Sequence, residues 1–292
     1  MIVPGTSRLG GVIGWPVAHS LSPRLHGHWL AEYGIDGAYV PLPVRPFALG
    51  SALEGLRDAG FRGVNVTVPH KEAAYAVAGI CDQAAGLLGA ANLLLFGDGG
   101  FEARNSDAEG LAASLMAELG AKGLDGANVV LLGAGGAARA AILACASLKA
   151  NAVCVLNRSP RRAAILVEAL RPRINIALAS GGLDEWPRVA ADALLLIHAT
   201  PAGMKGAGAA PAAAPLVDVA ALPAAAAVCD LVYNPLETPL LTAARARGLA
   251  IIDGLGMLLH QAAPAFEALY GVRPRVTLAL RAELESVLRD KP

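Results

Sequence analysis

The chain has 292 residues, 55% hydrophobic, 16% charged and 4% aromatic, with 24 basic and 24 acidic side chains that cancel. That length suits two domains or one large one, and the apolar content can fill a sizeable core. Balanced charge supplies no basic field for nucleic acid or an anionic membrane, so neither is an expected partner.

Residues 9–15 (LGGVIGW) read as a short buried strand running into a loop over 16–23. A helical pattern follows over 24–33, then a second strand over 37–44 and a helix over 47–59, with Gly60 as its stop. The next stretch, 63–71 (GVNVTVPHK), alternates Val64, Val66 and Val68 with Asn65 and Thr67, the period-2 pattern of a strand. Pro69 ends that ladder and suits the first turn of a helix, expected over 72–78, because its missing N–H is no loss there. Such a strand presents Asn65, Thr67 and Lys71 at one rim of a sheet, and open α/β sheets bind ligands at the carboxyl ends of strands. Lys71 is therefore a candidate for chemistry on a small polar molecule. The competing reading is a surface lysine that opens a helix.

Residues 92–96 give another strand, followed by a GDGG turn at 97–100. Residues 104–107 (RNSD) precede a helix with Leu111, Leu115 and Leu119 on its apolar face, a candidate crossing between domains. A new strand–helix series starts at 128–132 and continues through strands at 153–156, 193–198, 227–232 and 250–253. Alternating signals of this kind indicate mostly parallel sheets. Residues 203–227, rich in Ala, Gly and Pro, read as loop with at most one short helix. Helices are expected over 258–269 and 277–288.

The strand at 129–132 runs straight into Gly133, Ala134, Gly135, Gly136, Ala137 and Ala138, then an alanine-rich helix. This matches the dinucleotide fingerprint G-x-G-x-x-G/A, in which glycines allow a tight turn and a close backbone approach to pyrophosphate at a helix N-terminus. An NAD site wants an acid at the end of the next strand, about 20 residues on. No Asp or Glu occurs between Asp125 and Glu168; Asn157, Arg158, Ser159 and Arg162 stand there instead. Guanidiniums and a serine hydroxyl suit a 2′-phosphate, so NADP is expected over NAD.

Four scattered cysteines with no CxxC read as small buried hydrophobes in a reducing compartment. The N-terminus has no basic segment leading into an unbroken apolar run, so neither signal peptide nor anchor is expected and the expected setting is cytoplasmic. None of the six histidines makes a persuasive metal site, and no metal is expected; His26 and His28, two apart on a helix, face different ways.

Eight motifs in order carry a family resemblance: 14–23 (GWPVAHSLSP), 65–71 (NVTVPHK), 89–92 (GAAN), 105–107 (NSD), 133–137 (GAGGA), 157–159 (NRS), 230–235 (DLVYNP) and 254–261 (GLGMLLHQ). Together they resemble the shikimate dehydrogenase family over nearly the whole chain. The resemblance implies NADPH-linked reduction of 3-dehydroshikimate to shikimate, on the route to chorismate and the aromatic amino acids. It implies an α/β substrate domain over 1–107 and 255–292, with C-terminal helices returning to it, and a Rossmann-type NADP domain over 108–254. It makes Lys71 and Asp107 the catalytic pair. Ser20 and Ser22 would hold the substrate carboxylate, and Thr67, Asn92, Asp107, Tyr233 and Gln261 would contact its carboxylate, hydroxyls or reacting oxygen. Leu231 and Gly254 would line the nicotinamide end.

The residue types agree. A lysine ammonium can polarise a carbonyl, protonate the forming alkoxide and act in reverse as base, with Asp107 to aim it. Asn65 ranks below Thr67 and Asn92, as a residue that shapes the loop. Ser106, Ala108, Leu93, Gly27 and His198 stand where the family usually has Thr, Gly, Thr, Asn and Asn. These departures bear on substrate preference, since relatives act on quinate or aminoshikimate. A quinate/shikimate dehydrogenase of broader use, or an NADP-binding regulatory relative without turnover, are the alternatives. A homodimer through exposed faces of the first domain stays open.

Overall fold

The structure, a computed structural model, describes residues 4–120, 123–204 and 214–289. It packs as two units, residues 1–107 with 259–284 and residues 108–258 with 285–292.

The first unit is built on a six-stranded mixed sheet of β1 (Arg8–Gly14), β2 (Gly37–Pro43), β3 (Phe61–Val66), β4 (Ile80–Cys81), β5 (Leu93–Gly97) and β6 (Gly100–Arg104). Their order is β2-β1-β3-β5-β6-β4. Helices α1 (Ser22–Glu32) and α2 (Leu49–Asp58) link the first three strands, which run parallel because each connection crosses over the sheet. β5 runs antiparallel to β3, and the GDGG turn folds β6 back antiparallel to β5. Short helices α3 (Lys71–Ala76) and α4 (Gln83–Leu88) flank β4.

Register decides what meets at one rim. Ile13 pairs with Val66, Asn65 with Leu93, and Leu93 with Arg104. The carboxyl ends of β1, β3 and β6 and the amino end of β5 therefore lie together. The chain continues from there into the loop before α1, residues 67–71, Asn92 and residues 105–107.

β3 is covered on both faces. Val64 and Val66 pack with Ile13, Leu94 and Phe101. Asn65, also buried, accepts the Tyr39 hydroxyl at 2.8 Å and donates to the Asn92 carbonyl at 3.0 Å, so its amide is satisfied without water. His26 stacks on Tyr39 with ring centroids 3.9 Å apart, and burial brings its imidazole down to about 3. It serves as a neutral aromatic filler, while His28 on the same helix is partly exposed and pairs with Glu283 at 2.8 Å.

The second unit holds β7 (Asn128–Leu132), β8 (Ala152–Leu156), β9 (Ala177–Gly181), β10 (Leu195–His198), β11 (Ala227–Asp230) and β12 (Ala250–Ile252). All pair in parallel, in the order β9-β8-β7-β10-β11-β12. This is the 3-2-1-4-5-6 order of dinucleotide-binding domains, which reverses between β7 and β10. Val129 and Leu131 enter one core layer with Leu195, Ile197 and Cys229; Val130 and Leu132 enter the other with Leu196 and Val228. Burial on both faces explains why these strands read as unbroken apolar runs. Helices α5 (Asp107–Leu119), α6 (Gly136–Ser147), α7 (Pro160–Leu170), α8 (Trp186–Ala190), α9 (Pro239–Ala246), α10 (Gly254–Tyr270) and α11 (Leu278–Arg289) complete the helical set of the described residues. None of the described helices is long and apolar enough to cross a membrane.

Several expectations need correction. β3 stops at Val66, not Val68: Thr67 still donates its N–H to Ile13, but the His70 N–H returns to the Thr67 carbonyl and closes a turn. Pro69 consequently precedes the cap residue His70 and lies outside α3 rather than in its first turn. α10 begins at Gly254, and the second crossing between units falls within it, at 258/259; residues from 285 onward group with the second unit. Strands β4, β6 and β9 and helices α4, α8 and α9 are not among the expected elements. Cys81 is exposed, since β4 is a two-residue edge strand, whereas burial pushes the Cys145 thiol up to about 12. Of the expected loop over 203–227, residues 205–213 lie outside the described residues, and a single 3₁₀ turn occupies Val219–Ala221.

Two glycines test this packing. A Cβ on Gly63 would collide with the Leu94 carbonyl and stand 3.0 Å from Leu269 Cδ2, while one on Gly27, inside α1, meets nothing within 4 Å. Gly63→Ala should lower stability in urea denaturation by about 1–3 kcal/mol, and Gly27→Ala should raise it by about 0.5–1 kcal/mol.

Candidate active site

The rim of the first sheet gathers a connected polar cluster. Lys71 opens α3 and its Nζ donates to Asp107 Oδ2 at 2.5 Å, with side chains 22% and 6% exposed. A lysine at a helix N-terminus faces the positive end of the helix dipole, so the pairing with Asp107 offsets an unfavourable placement. Asp107 gains from the same rule, because it opens α5. Its other oxygen, Oδ1, accepts Asn92 Nδ2 at 2.9 Å.

Asn92 is held from several sides. Its Nδ2 also faces Ser106 Oγ at 3.0 Å and Gln261 Oε1 at 3.2 Å, and its Oδ1 accepts the Ser106 N–H at 2.9 Å. Ser106 Oγ donates to the Gln261 carbonyl at 2.8 Å, tying α10 to the rim. Asn105 fixes the turn: its Oδ1 accepts the Asp107 N–H at 3.0 Å and its Nδ2 donates to Ala90 O at 2.8 Å. Asn92 Nδ2 has two hydrogens and three acceptors in reach, so the longest contact, to Gln261 Oε1, is the one most easily given up to another donor.

The structure thus brings Lys71, Asn92, Asp107 and Gln261 into one hydrogen-bonded group. Ser20 and Ser22 form a second local group after β1, where Ser22 N–H donates to Ser20 Oγ at 3.3 Å. Thr67 sits at the end of β3, its methyl packed where a side chain on Gly14 would otherwise stand. Tyr233, half-buried, belongs to the second unit, just past β11. Ser106, Asn105 and Tyr39 are not among the expected site residues. Asn105 and Ser106 precede Asp107 in a run of three polar residues before a helix, a signal that marks the turn but not the Ser106 bond to Gln261.

The second unit carries the glycine loop at the carboxyl end of β7, beside the strand-order reversal. Gly133 has φ +115°, and a Cβ there would stand 2.9 Å from the Ala199 carbonyl and 3.0 Å from Thr200 Cγ2, so the protein itself requires glycine. Gly135 and Gly136 differ: a Cβ on either meets nothing within 4 Å. Gly135 caps α6 without a side-chain hydrogen bond, leaving the first-turn N–H groups directed at open space that an added side chain would fill. Packing within the described residues therefore does not require glycine at these two positions. Ala134 and Ala137 complete the loop, both half-buried.

Asn157 follows β8, whose Leu156 pairs with Leu132, and its Nδ2 donates to Ser159 O at 3.2 Å. Ser159 caps α7 with its hydroxyl uncommitted to the helix, and Arg158 and Arg162 are exposed beside it. Free guanidiniums at a helix N-terminus suit a phosphate monoester. Gly254 packs so closely on the Leu231 carbonyl that no side chain fits there.

Residues 12–94 match the family model described as shikimate dehydrogenase substrate binding domain, and residues 115–203 that described as shikimate / quinate 5-dehydrogenase. The shikimate dehydrogenase (NADP(+)) of Methylobacterium radiotolerans is 50% identical over 274 residues, spanning 92% of this chain and 94% of that protein. A crystal structure of shikimate dehydrogenase in complex with NADP+ superposes with a TM-score of 0.86 at 32% identity, covering 98% of both chains. The shikimate 5-dehydrogenase of Thermus thermophilus, in complex with NADP(H) and shikimate, gives 0.80 at 36% identity over 97% of this chain and 98% of that one.

Ser106→Ala should strip the hydroxyl bond from the Gln261 carbonyl, while Asn92 Nδ2 keeps Asp107 Oδ1 and Gln261 Oε1 for its two hydrogens. The expected loss is about 0.5–1.5 kcal/mol in urea denaturation, with Ser106→Thr recovering most of it.

Proposed function

The chain belongs to the shikimate dehydrogenase family, and from that premise we propose that it interconverts 3-dehydroshikimate and shikimate with NADP(H). The reaction serves the synthesis of chorismate and the aromatic amino acids. In this reading the first unit is the substrate domain and the second the NADP domain, and the enzyme works in the cytoplasm. It acts as a homodimer through exposed faces of the first unit, where Val40 of the edge strand β2 and Phe47, in the turn that follows β2 in the chain, are exposed large apolar side chains.

The observation that carries the reading is the Lys71–Asp107 pair within a polar cluster that already uses both carboxylate oxygens. When bound, NADPH supplies the hydride; the protein must orient the substrate and manage one proton at the oxygen that becomes an alkoxide. Lys71 spends one ammonium hydrogen on Asp107 and keeps two, enough to donate to that oxygen and then protonate it. In the oxidative direction the resulting amine accepts the hydroxyl proton, so the step is reversible. Asp107 acts by holding the lysine in place, itself held by Asn92.

The substrate's carboxylate suits the paired hydroxyls of Ser20 and Ser22, and its ring hydroxyls suit Thr67, Asn92, Asp107, Tyr233 and Gln261, which between them donate and accept. Phosphate groups suit the open α6 N-terminus at Gly135–Gly136 and the Asn157, Arg158, Ser159 and Arg162 cluster. Leu231 and Gly254 line the nicotinamide end in this assignment.

Mixing the protein with NADP⁺ and shikimate, quinate or neither, and following absorbance of the reduced cofactor, should give turnover on shikimate. Its absence would sink the proposal, and faster turnover on quinate would reassign the substrate. Lys71→Ala should lower kcat by about 10²–10⁴-fold with NADPH affinity nearly unchanged; a surviving kcat would move the acid/base elsewhere. Neutralising Arg158 and Arg162 together should raise the KM for NADPH far more than that for NADH, and equal effects would deny them the 2′-phosphate.

A further inference from the structure

His198 is absorbed by nothing in the reaction as described, yet it is the best-connected histidine among the described residues. It is the last residue of β10 and 3% exposed, in register with Leu132 of β7 on one side and Asp230 of β11 on the other. Its Nδ1 lies 2.9 Å from Asp230 Oδ1, and its Nε2 lies 2.5 Å from Thr200 Oγ1. Asp230, fully buried, also accepts the Val232 N–H at 3.0 Å on Oδ1 and the Thr238 hydroxyl at 2.7 Å on Oδ2.

Asp230 taken as a carboxylate has only acceptors, so Nδ1 carries the hydrogen between them; with the ring taken as neutral, Nε2 accepts the Thr200 hydroxyl hydrogen. Thr200 Oγ1 in turn accepts the Ala202 N–H at 3.2 Å. Every polar atom of the three side chains is engaged, and Thr200 is left a single rotamer. That rotamer turns its methyl toward Gly133, where Thr200 Cγ2 and the Ala199 carbonyl are the atoms nearest to the missing Cβ. Ala199 is pinned too, its N–H donating to Leu132 O at 2.8 Å.

We propose that His198, oriented by Asp230, is a positioning residue for the dinucleotide: it locks Thr200 against Gly133 and so fixes the glycine loop in its phosphate-ready shape. The inference rests on the NADP assignment above. Preorganising a loop raises affinity by removing an ordering cost at binding, so the effect falls on cofactor affinity rather than on the chemical step.

The test is direct titration of NADPH by its fluorescence, alongside unfolding curves and KM and kcat with shikimate. Thr200→Val keeps the shape and removes only the hydroxyl, so it folds even where His198→Ala does not. Each single variant should weaken NADPH binding about tenfold, the scale of a lost hydrogen bond to an organised loop, with kcat held and KM for the cofactor raised. The double variant should be no worse than the weaker single one, because both break one linkage, and Thr200→Ser should bind like the wild type. An NADPH affinity unchanged in Thr200→Val, or additive losses in the double variant, would overturn the proposal. A wild-type protein that fails to bind NADPH would instead overturn the cofactor assignment itself.

Discussion

Asp107 receives a side-chain donor on each carboxylate oxygen, and neither donor comes from its own helix. Lys71 reaches it from the start of α3 and Asn92 from the start of β5, so the carboxylate is where three segments of the first unit converge. A carboxylate this buried is tolerable only when its lone pairs are met, and removing one partner of such a pair commonly costs several kcal/mol. The arrangement therefore demands that β3, β5 and β6 keep their register. A one-residue slip in β5 would turn Asn92 to the opposite face and leave Asp107 with the lysine alone. Asn65 guards against that slip, since its amide grips the Asn92 carbonyl while the Val66 N–H donates to the same oxygen at 2.8 Å.

Stability and function are coupled differently in the two units. In the first, polar side chains run from the aromatic layer at His26 and Tyr39 through Asn65 to the Asn92 peptide, so the packing behind the rim also orients the rim. In the second, both faces of the parallel sheet are apolar, and the polar groups collect at the carboxyl ends of β7, β10 and β11. There the glycine loop and the His198–Asp230 pair share neighbouring strands without sharing a hydrogen bond.

Much of this was legible in the residues. Long strands and helices announced themselves by period, and the glycine loop by its place between β7 and α6. Lys71 stood out because a strand pattern ended just before it. What escaped has physical causes. The hairpin of β5 and β6 turned part of the first sheet antiparallel, and β6, five residues with Gly100 at its start, carries too weak an alternation to read. Ser106 was counted only as a departure from a family pattern, because its work lies in a bond to a carbonyl far along the chain, which no local spacing encodes. His198 was set aside with the other histidines since its partner Asp230 is a cross-strand neighbour, visible only once the strand order is known.

The glycine loop shows why a motif alone underdetermines a site. Its glycines divide by what would occupy the place of a side chain. At Gly133 that place is taken by the protein's own Ala199 and Thr200, and the positive φ adds a second reason for glycine. At Gly135 and Gly136 the place is vacant and φ at Gly135 is −104°, which any residue adopts, so neither strain nor packing within the chain accounts for glycine there. Gly27 on α1 is equally unhindered, so open space alone marks no site; in the NADP reading the two positions let a pyrophosphate reach the α6 N–H groups closely. A tight turn used only for folding would need the first glycine and not the others. In that reading Gly135 at the cap and Gly136 in the first turn of α6 make the tight turn a phosphate cradle.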